Sequence, residues 1–304
     1  MIRPNIKNET GQLRKVVLGL ATDFGGVPPL AEVNDPKSKE HILNGSFPTQ
    51  KKVLQQMSSL KKAIQKYGVE ILEPDNIKGL NQIFARDIGF VLEEIFVVPN
   101  ITLGRRKEVE AIASIIAQIP AENILRAPEK VRFEGGDIIP WNEALFIGYS
   151  KQPDFDKYVV SRTNEAGIEF LKENFTNCKV IAVELKKSDE NPRQNALHLD
   201  CIFQPIGTNK AIVFKDGFKY ESDYKKIENY FGSENLIHIS REEMYEMNSN
   251  IFSISPKVII SEKSFTRLNK ILRELGFTVE EVEYDEISKM EGLFRCSTLP
   301  LVRE

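Results

Sequence analysis

The chain reads as an α/β protein built from a repeating strand–strand–helix–strand unit, and three observations predict this. Apolar runs of strand length come in pairs joined by short turn segments. An amphipathic helical stretch and a further strand follow most pairs. The pattern recurs about every fifty residues, although the units share almost no identity. Units of this kind either line up in a doubly wound sheet or stand radially around an axis. No G-x-G-x-x-G or G-x-x-x-x-G-K-S/T follows any strand, so a nucleotide-binding Rossmann sheet has no support.

The elements follow in order. "RKVVLGL" (14–20) is a strand, and 25–49, rich in Pro, Gly and Asn, is a long loop that serves as a lid or an edge excursion. In "QKKVLQQMSSLKKAIQKYG" (50–68), Val53, Met57, Leu60 and Ile64 recur at helical spacing and Gly68 stops the helix. "VEILEP" is a strand, "IGFVLEEIFVVPN" a strand pair turning at "EE", and "RRKEVEAIASIIAQI" (105–119) a helix. "FEGGDIIPWNEALFIGYS" is the next pair, turning at "WNEA", before helix "SRTNEAGIEFLKENF" (161–175) and strand "KVIAVEL". "HLDCIFQPIGTNKAIVFKDGF" turns at "GTNK", ahead of helix "ESDYKKIENYF" and strand "NLIHI". "NIFSISPKVIISE", helix "SFTRLNKILRELG" and strand "FTVEEVEY" complete the last unit.

Composition narrows the function. With 304 residues, 41% hydrophobic and 28% charged, the chain is expected to be an ordinary globular protein, read as one catalytic domain over 1–304. Net charge −3 gives no basic face for nucleic acid, and no apolar window approaches the ~18 residues of a membrane span. The N-terminus offers no signal peptide, and the three widely spaced cysteines, Cys178, Cys201 and Cys296, make no disulfide framework. The expectation is a cytoplasmic protein with free thiols.

Charged residues interrupt the strand patterns at Asp87 in "FARDIGF", at Glu134 and Asp137 in "RFEGGDII", and at His198 and Asp200 in "NALHLDCIF". Charges in such places are costly unless paired or used. On a strand, His198 and Asp200 share one face and Cys201 points the other way, as a small core hydrophobe. Cys296, beside Arg295, is the reactive candidate, because a neighbouring cation favours the thiolate. An excess of carboxylates from Asp87, Glu134 and Asp200 suits a guanidinium, which meets carboxylates in bidentate fashion. A bound guanidinium would hold Cys296 as a thiolate, and His198 would protonate the departing amine. Each part taken singly has a plainer reading, "GGD" as a capped turn and "RD" as a surface ion pair. Metal binding fits poorly: His41, His198 and His238 are scattered and no C-x-x-C or H-E-x-x-H occurs.

"FARD", "EGGD", "HLD" and a late Cys followed by "STLPLVRE" occur in that order, after the opening "ETGQLRKVVLG". This set resembles the guanidino-group-modifying enzymes: arginine deiminases, dimethylarginine dimethylaminohydrolases and amidinotransferases. The resemblance implies a pentein, an α/β-propeller of five ββαβ-like units around a pseudo-fivefold axis. It implies Cys296 as nucleophile through a covalent amidino intermediate, His198 as acid/base, and Glu134 binding the guanidinium and orienting His198. Asp87 and Asp200 would hold guanidinium nitrogens. Arg105 in "LGRRKE" and Arg162 in "VVSRTNEAG" would grip a substrate carboxylate, the plainer reading for both being a solvated helix start. Asn250 in "NSNIFSI" falls on a loop near the site.

The sequence departs from the pattern in "MEGLFRC", where Glu291 stands in the region in which deiminases carry an arginine. That puts recognition of a free α-carboxylate in doubt. Asp137 is out of phase with Glu134 on a strand and is assigned to shaping the turn, while the glycines let backbone and substrate come close. The expected activity is hydrolysis of a guanidino C–N bond without metal or cofactor, the substrate being arginine or methylarginine-like. An amidinotransferase is the alternative, and an inert binding protein on the same fold is a third reading that the intact Cys, His and Glu set argues against. The partner is a small molecule, and a homo-oligomer is compatible with the sequence.

Overall fold

Four times along the chain a hairpin is followed by a crossover that returns a third strand parallel to the hairpin's second strand. The computed structural model describes residues 1–304. The four sheets comprise Phe90–Leu92, Ile95–Val98 and Ile124–Arg126; Ile138–Trp141, Ala144–Tyr149 and Lys179–Glu184; Phe203–Ile206, Lys210–Val213 and Leu236–His238; and Phe252–Ser255, Val258–Glu262 and Thr278–Val282. The fifth has the same plan but draws its strands from both ends of the chain. Leu13–Leu18 pairs antiparallel with Thr298–Arg303 and parallel with Glu70–Leu72, with Leu18 opposite Thr298. This sheet touches the strand Phe90–Leu92 on one side and Phe252–Ser255 on the other, so the five sheets close into a ring. The radial arrangement holds, and the doubly wound one does not.

The hairpin turns expected at "EE", "WNEA" and "GTNK" carry the left-handed residues that tight connections require: Glu93 at φ 53°, Asn142 at 55° and Gly207 at 62°. Helix Gln50–Gln65 buries Val53, Met57, Leu60 and Ile64 in the largest apolar cluster, which joins strands to outer helices. Other expectations shift. The helix expected over 105–119 breaks into Arg106–Glu110 and Ala113–Ile116, because the Ala111 carbonyl accepts the Asp75 N–H instead of continuing the helical ladder. Helix 161–175 starts only at Glu165, where the Asn164 side chain caps Gly167 N–H. Segment 25–49 is not all loop: Asp35 caps a helix over Pro36–Leu43. Helix Gln152–Lys157 and the closing strand Thr298–Arg303 had no expectation. No helix is long and apolar enough to cross a membrane.

Candidate active site

The interrupting charges do not begin strands. Ala85–Ile88, Gly135–Asp137 and Leu199–Cys201 are each a single 3₁₀ turn immediately before a hairpin, and turns occupy the matching places at 246–249 and 294–297. The reading that His198 and Asp200 share a strand face is therefore replaced: His198 is the cap and Asp200 lies within the turn. Polar bonds link the five turns into a belt. Asp87 Oδ1 accepts Gly136 N–H at 3.2 Å, and Asp137 Oδ1 accepts Leu199 N–H at 2.9 Å. The Asp200 carbonyl accepts Asn250 Nδ2 at 3.4 Å, and Asn250 Oδ1 accepts Cys296 N–H at 3.0 Å. The Cys296 carbonyl then accepts Arg86 N–H at 2.9 Å, which returns to the first turn. Backbone donors at this end of the ring have no strand partners, and carboxylates and amides supply the acceptors.

This belt decides several expectations. Asp137, wholly buried, ties its own turn to the next one and also accepts Thr163 Oγ1 at 2.6 Å, so it is a structural acid, as expected. The glycines of "EGGD" serve the belt as well. A Cβ at Gly136 would sit 2.7 Å from His198 Cγ, and one at Gly135 would sit 2.1 Å from the Arg86 carbonyl oxygen. Their close neighbours are the next units, which corrects the expectation of room for substrate. "RD" is no surface pair, since Arg86 and Asp87 are both buried.

Asp87, His198, Cys296, Arg105 and Arg162 line one cavity of about 810 Å³, walled also by Gly25–Pro29, Glu32–Asp35, Asn81 and Glu291. The fully buried Glu134 accepts from or pairs with His198 Nε2 at 2.9 Å, while His198 Nδ1 lies 3.8 Å from Asp87 Oδ1. Burial alone would lower the His198 pKa, but the Asp87, Glu134 and Asp137 carboxylates outweigh it and raise it above its ordinary value, favouring the imidazolium. Burial opposes ionisation of Glu134, yet Arg162, His198 and Arg105 hold its pKa well below the usual range.

The Cys296 thiol is buried. It accepts Asn250 Nδ2 at 3.1 Å and reaches Asp200 Oδ2 at 3.7 Å. Burial, then the Asp200 and Asp87 charges, push its pKa well above the ordinary thiol value. Arg295 acts in the expected direction, lowering that pKa, but burial and the two carboxylates outweigh its effect. Arg295 is clasped bidentately by Glu9 at 2.9 and 3.1 Å and bonds Asp200 Oδ2 at 2.8 Å, so its charge is spent there. Asp200 is paired with Arg295 behind the thiol, with its Oδ2 3.7 Å from Cys296 Sγ, so this carboxylate stands at the back of the cavity already in an ion pair. Asn250 touches the thiol and the turn around it. Glu9, in the opening "NETGQL", carried no sequence signal for this role.

Both arginines expected to meet a carboxylate are turned inward. Arg105 Nη1 lies 2.8 Å from Asp87 Oδ2 and 3.3 Å from Glu134 Oε2, and its Nε and Nη2 bond the two oxygens of Glu108 at 2.8 Å each. Glu108 was not anticipated; the i,i+3 spacing from Arg105 was its only signal. Arg162, buried rather than solvated, lies 3.4 Å from Glu134, and its Nε has no partner. Glu291 accepts Asn195 Nδ2 at 2.8 Å and faces the cavity; burial and the neighbouring Asp35 push its pKa well above the ordinary carboxylate value. Asp87, Glu134 and His198 have the donor types of a metal site, with ligand atoms within 4.8 Å of one another, but Arg105 places a guanidinium nitrogen against both carboxylates.

A ring of five three-stranded sheets with a thiol, an imidazole and clustered carboxylates at one end defines the guanidino-modifying penteins. Solved structures share this fold. The N-terminal domain of ArgZ, an arginine dihydrolase from cyanobacteria, was solved covalently bound to a reaction intermediate; it matches with a TM-score of 0.78 at 19% identity over 95% of this chain and 98% of its own. SxtG, an amidinotransferase from Microseira wollei, matches at 0.78 and 16% identity over 99% and 97%. In sequence, YkgA of Bacillus subtilis is 28% identical over 82% of this chain and 79% of its own length. An arginine deiminase of Streptococcus pneumoniae is 23% identical over 90% and 76%. The model of the eukaryotic N,N-dimethylarginine dimethylhydrolases matches residues 31–303, and the chain belongs to that family.

Proposed function

We propose that the protein hydrolyses a guanidino C–N bond of arginine or a methylated arginine, with Cys296 as nucleophile. The observation that carries this is the convergence of Cys296, His198 and Asp87 on one cavity, with Glu134 behind His198. The family's dimethylarginine substrate and the arginine-acting relatives support the substrate class.

The substrate guanidinium lies against Asp87 and Glu134, and its charge offsets the Asp200 and Asp87 charges that add to burial in raising the thiol pKa. Asp200 is the acceptor within reach of the thiol proton. The thiolate adds to the guanidinium carbon, forming a C–S bond. The C–N bond then breaks as His198 gives its proton to the departing ammonia or amine, leaving a thiouronium on Cys296. Neutral His198 takes a proton from water, whose oxygen adds to the same carbon; the C–S bond breaks and a ureido product leaves. Arg162 supplies a buried donor without a partner for a substrate carboxylate. An amine in place of water would make the same machinery an amidinotransferase, a reading that the likeness to SxtG supports equally in fold. Three free thiols support a reducing compartment such as the cytoplasm.

The test is incubation with arginine, monomethyl- and dimethylarginine and agmatine, following ammonia, amine and ureido product, with mass analysis of Cys296. Turnover is expected to fall by at least ~10³-fold in Cys296→Ser. Undiminished turnover in that variant would remove the nucleophile assignment, and turnover that requires an added amine would make the protein a transferase.

A further inference from the structure

We propose that Arg105 is a ligand of its own active site: its guanidinium occupies the place built for the substrate's, and guanidines bearing an anionic group are the ones that evict it readily. This rests on the reading of Asp87 and Glu134 as the guanidinium subsite. Arg105 Nη1 bridges those two carboxylates, bonding Asp87 at 2.8 Å, the distance of a charge-assisted bond, and reaching Glu134 at a longer 3.3 Å. Asp87 is fixed by burial and by the turn belt, and Glu134 by burial and by the Thr102 N–H, which it accepts at 3.0 Å. Arg105 is not fixed in the same way, because its side chain keeps 18% of its surface exposed and lines the cavity. Its other two bonded nitrogens rest on Glu108, three residues along, so Arg105 would withdraw from Asp87 and Glu134 together with Glu108, as one pair carried on the same segment.

Charge then selects the ligand. Deep in the cavity, Asp87, Glu108 and Glu134 face Arg105, Arg162 and the His198 imidazole, and Glu32, Asp35 and Glu291 also line its wall. An arriving guanidinium only replaces the bonds that Arg105 gives up, and it adds a positive charge that the displaced arginine must now face. A carboxylate on the ligand removes that excess and gives the displaced Arg105, together with the unpartnered Nε of Arg162, something to bond. Self-occupancy lowers the apparent affinity of every guanidine by the fraction of molecules in which the site is free. A ligand without an anionic group bears that reduction uncompensated. The expected carboxylate grip by Arg105 and its observed inward position are thus two ends of one swing.

The experiment measures binding by calorimetry at fixed ionic strength in the Cys296→Ser background, with methylguanidine and 4-guanidinobutanoate as probes. With Arg105 present, guanidinobutanoate is expected to bind about tenfold or more tightly than methylguanidine. Adding Arg105→Gln is expected to move the two in opposite directions, methylguanidine tightening and guanidinobutanoate weakening, each by about tenfold. Arg105→Lys, which keeps a cation among the three acids and so protects folding, should move both the same way by less. Parallel shifts of the two probes, or methylguanidine affinity that ignores Arg105, would overturn the self-ligand while leaving the guanidinium subsite standing. If neither probe binds with or without Arg105, the subsite itself is wrong and the inference falls with it.

Discussion

Arg295 exposes none of its side chain, whereas Arg105 keeps 18% of its surface open to the cavity. Both guanidiniums are held by buried carboxylates, Glu9 and Asp200 for the first, and Asp87, Glu108 and Glu134 for the second. Arg295 also donates to the Ile138 carbonyl at 2.8 Å, so its bonding capacity is used from all sides. The same ion chemistry therefore gives a permanent brace where it is sealed and an exchangeable occupant where one flank is open. Access, more than bond strength, separates structure from function here.

The largest way to break the comparison is Arg295→Met. It leaves Glu9 and Asp200 as buried charges without their partner, and a loss of about 3–5 kcal/mol in urea unfolding is expected. A loss near zero would show that the brace is dispensable.

Acid titration is the next test. Burial would raise the Glu9 pKa, but the Arg295 and Arg86 charges outweigh it and lower it to about 2. A depressed carboxylate contributes stability that is full above its unfolded pKa and is lost as pH falls through the folded one. About 3 kcal/mol should therefore disappear between roughly pH 4.5 and 2, and Glu9→Gln should flatten that slope. An unchanged slope in Glu9→Gln would assign the acid sensitivity elsewhere.

Arg105→Gln should cost least, about 1–2 kcal/mol, because its site is partly solvated and Arg162 still faces Glu134. A stability loss as large as that of Arg295→Met would make the two arginines equivalent and erase the distinction.

Sequence periodicity was enough for the repeating unit, since the hairpin turns and the helices Gln50–Gln65 and Glu221–Phe231 depend on local residue types. The ring needed more. Thr298–Arg303 contains a proline and looks like a tail until it meets Leu13–Leu18, a pairing that no local pattern encodes. The residue types of the site were legible because Asp87, Glu134, His198 and Cys296 are charged or reactive where apolar residues belong. Their partners were not. Arg295 adjoins Cys296 in sequence, yet its charge is directed to Glu9 across nearly the whole chain. Arg105 was assigned to a carboxylate by resemblance, and only three dimensions put it against Asp87.

The turn belt closes through Cys296, and the strand that seals the ring begins two residues later at Thr298. During synthesis the chain therefore acquires its thiol and its means of closure almost together. Until that moment Asp87, Glu134 and His198 have no completed belt to hold them, and Cys296 does not stand beside them. One short segment thus both places Cys296 and seals the ring, so loss of the pairing between Leu13–Leu18 and Thr298–Arg303 would undo both.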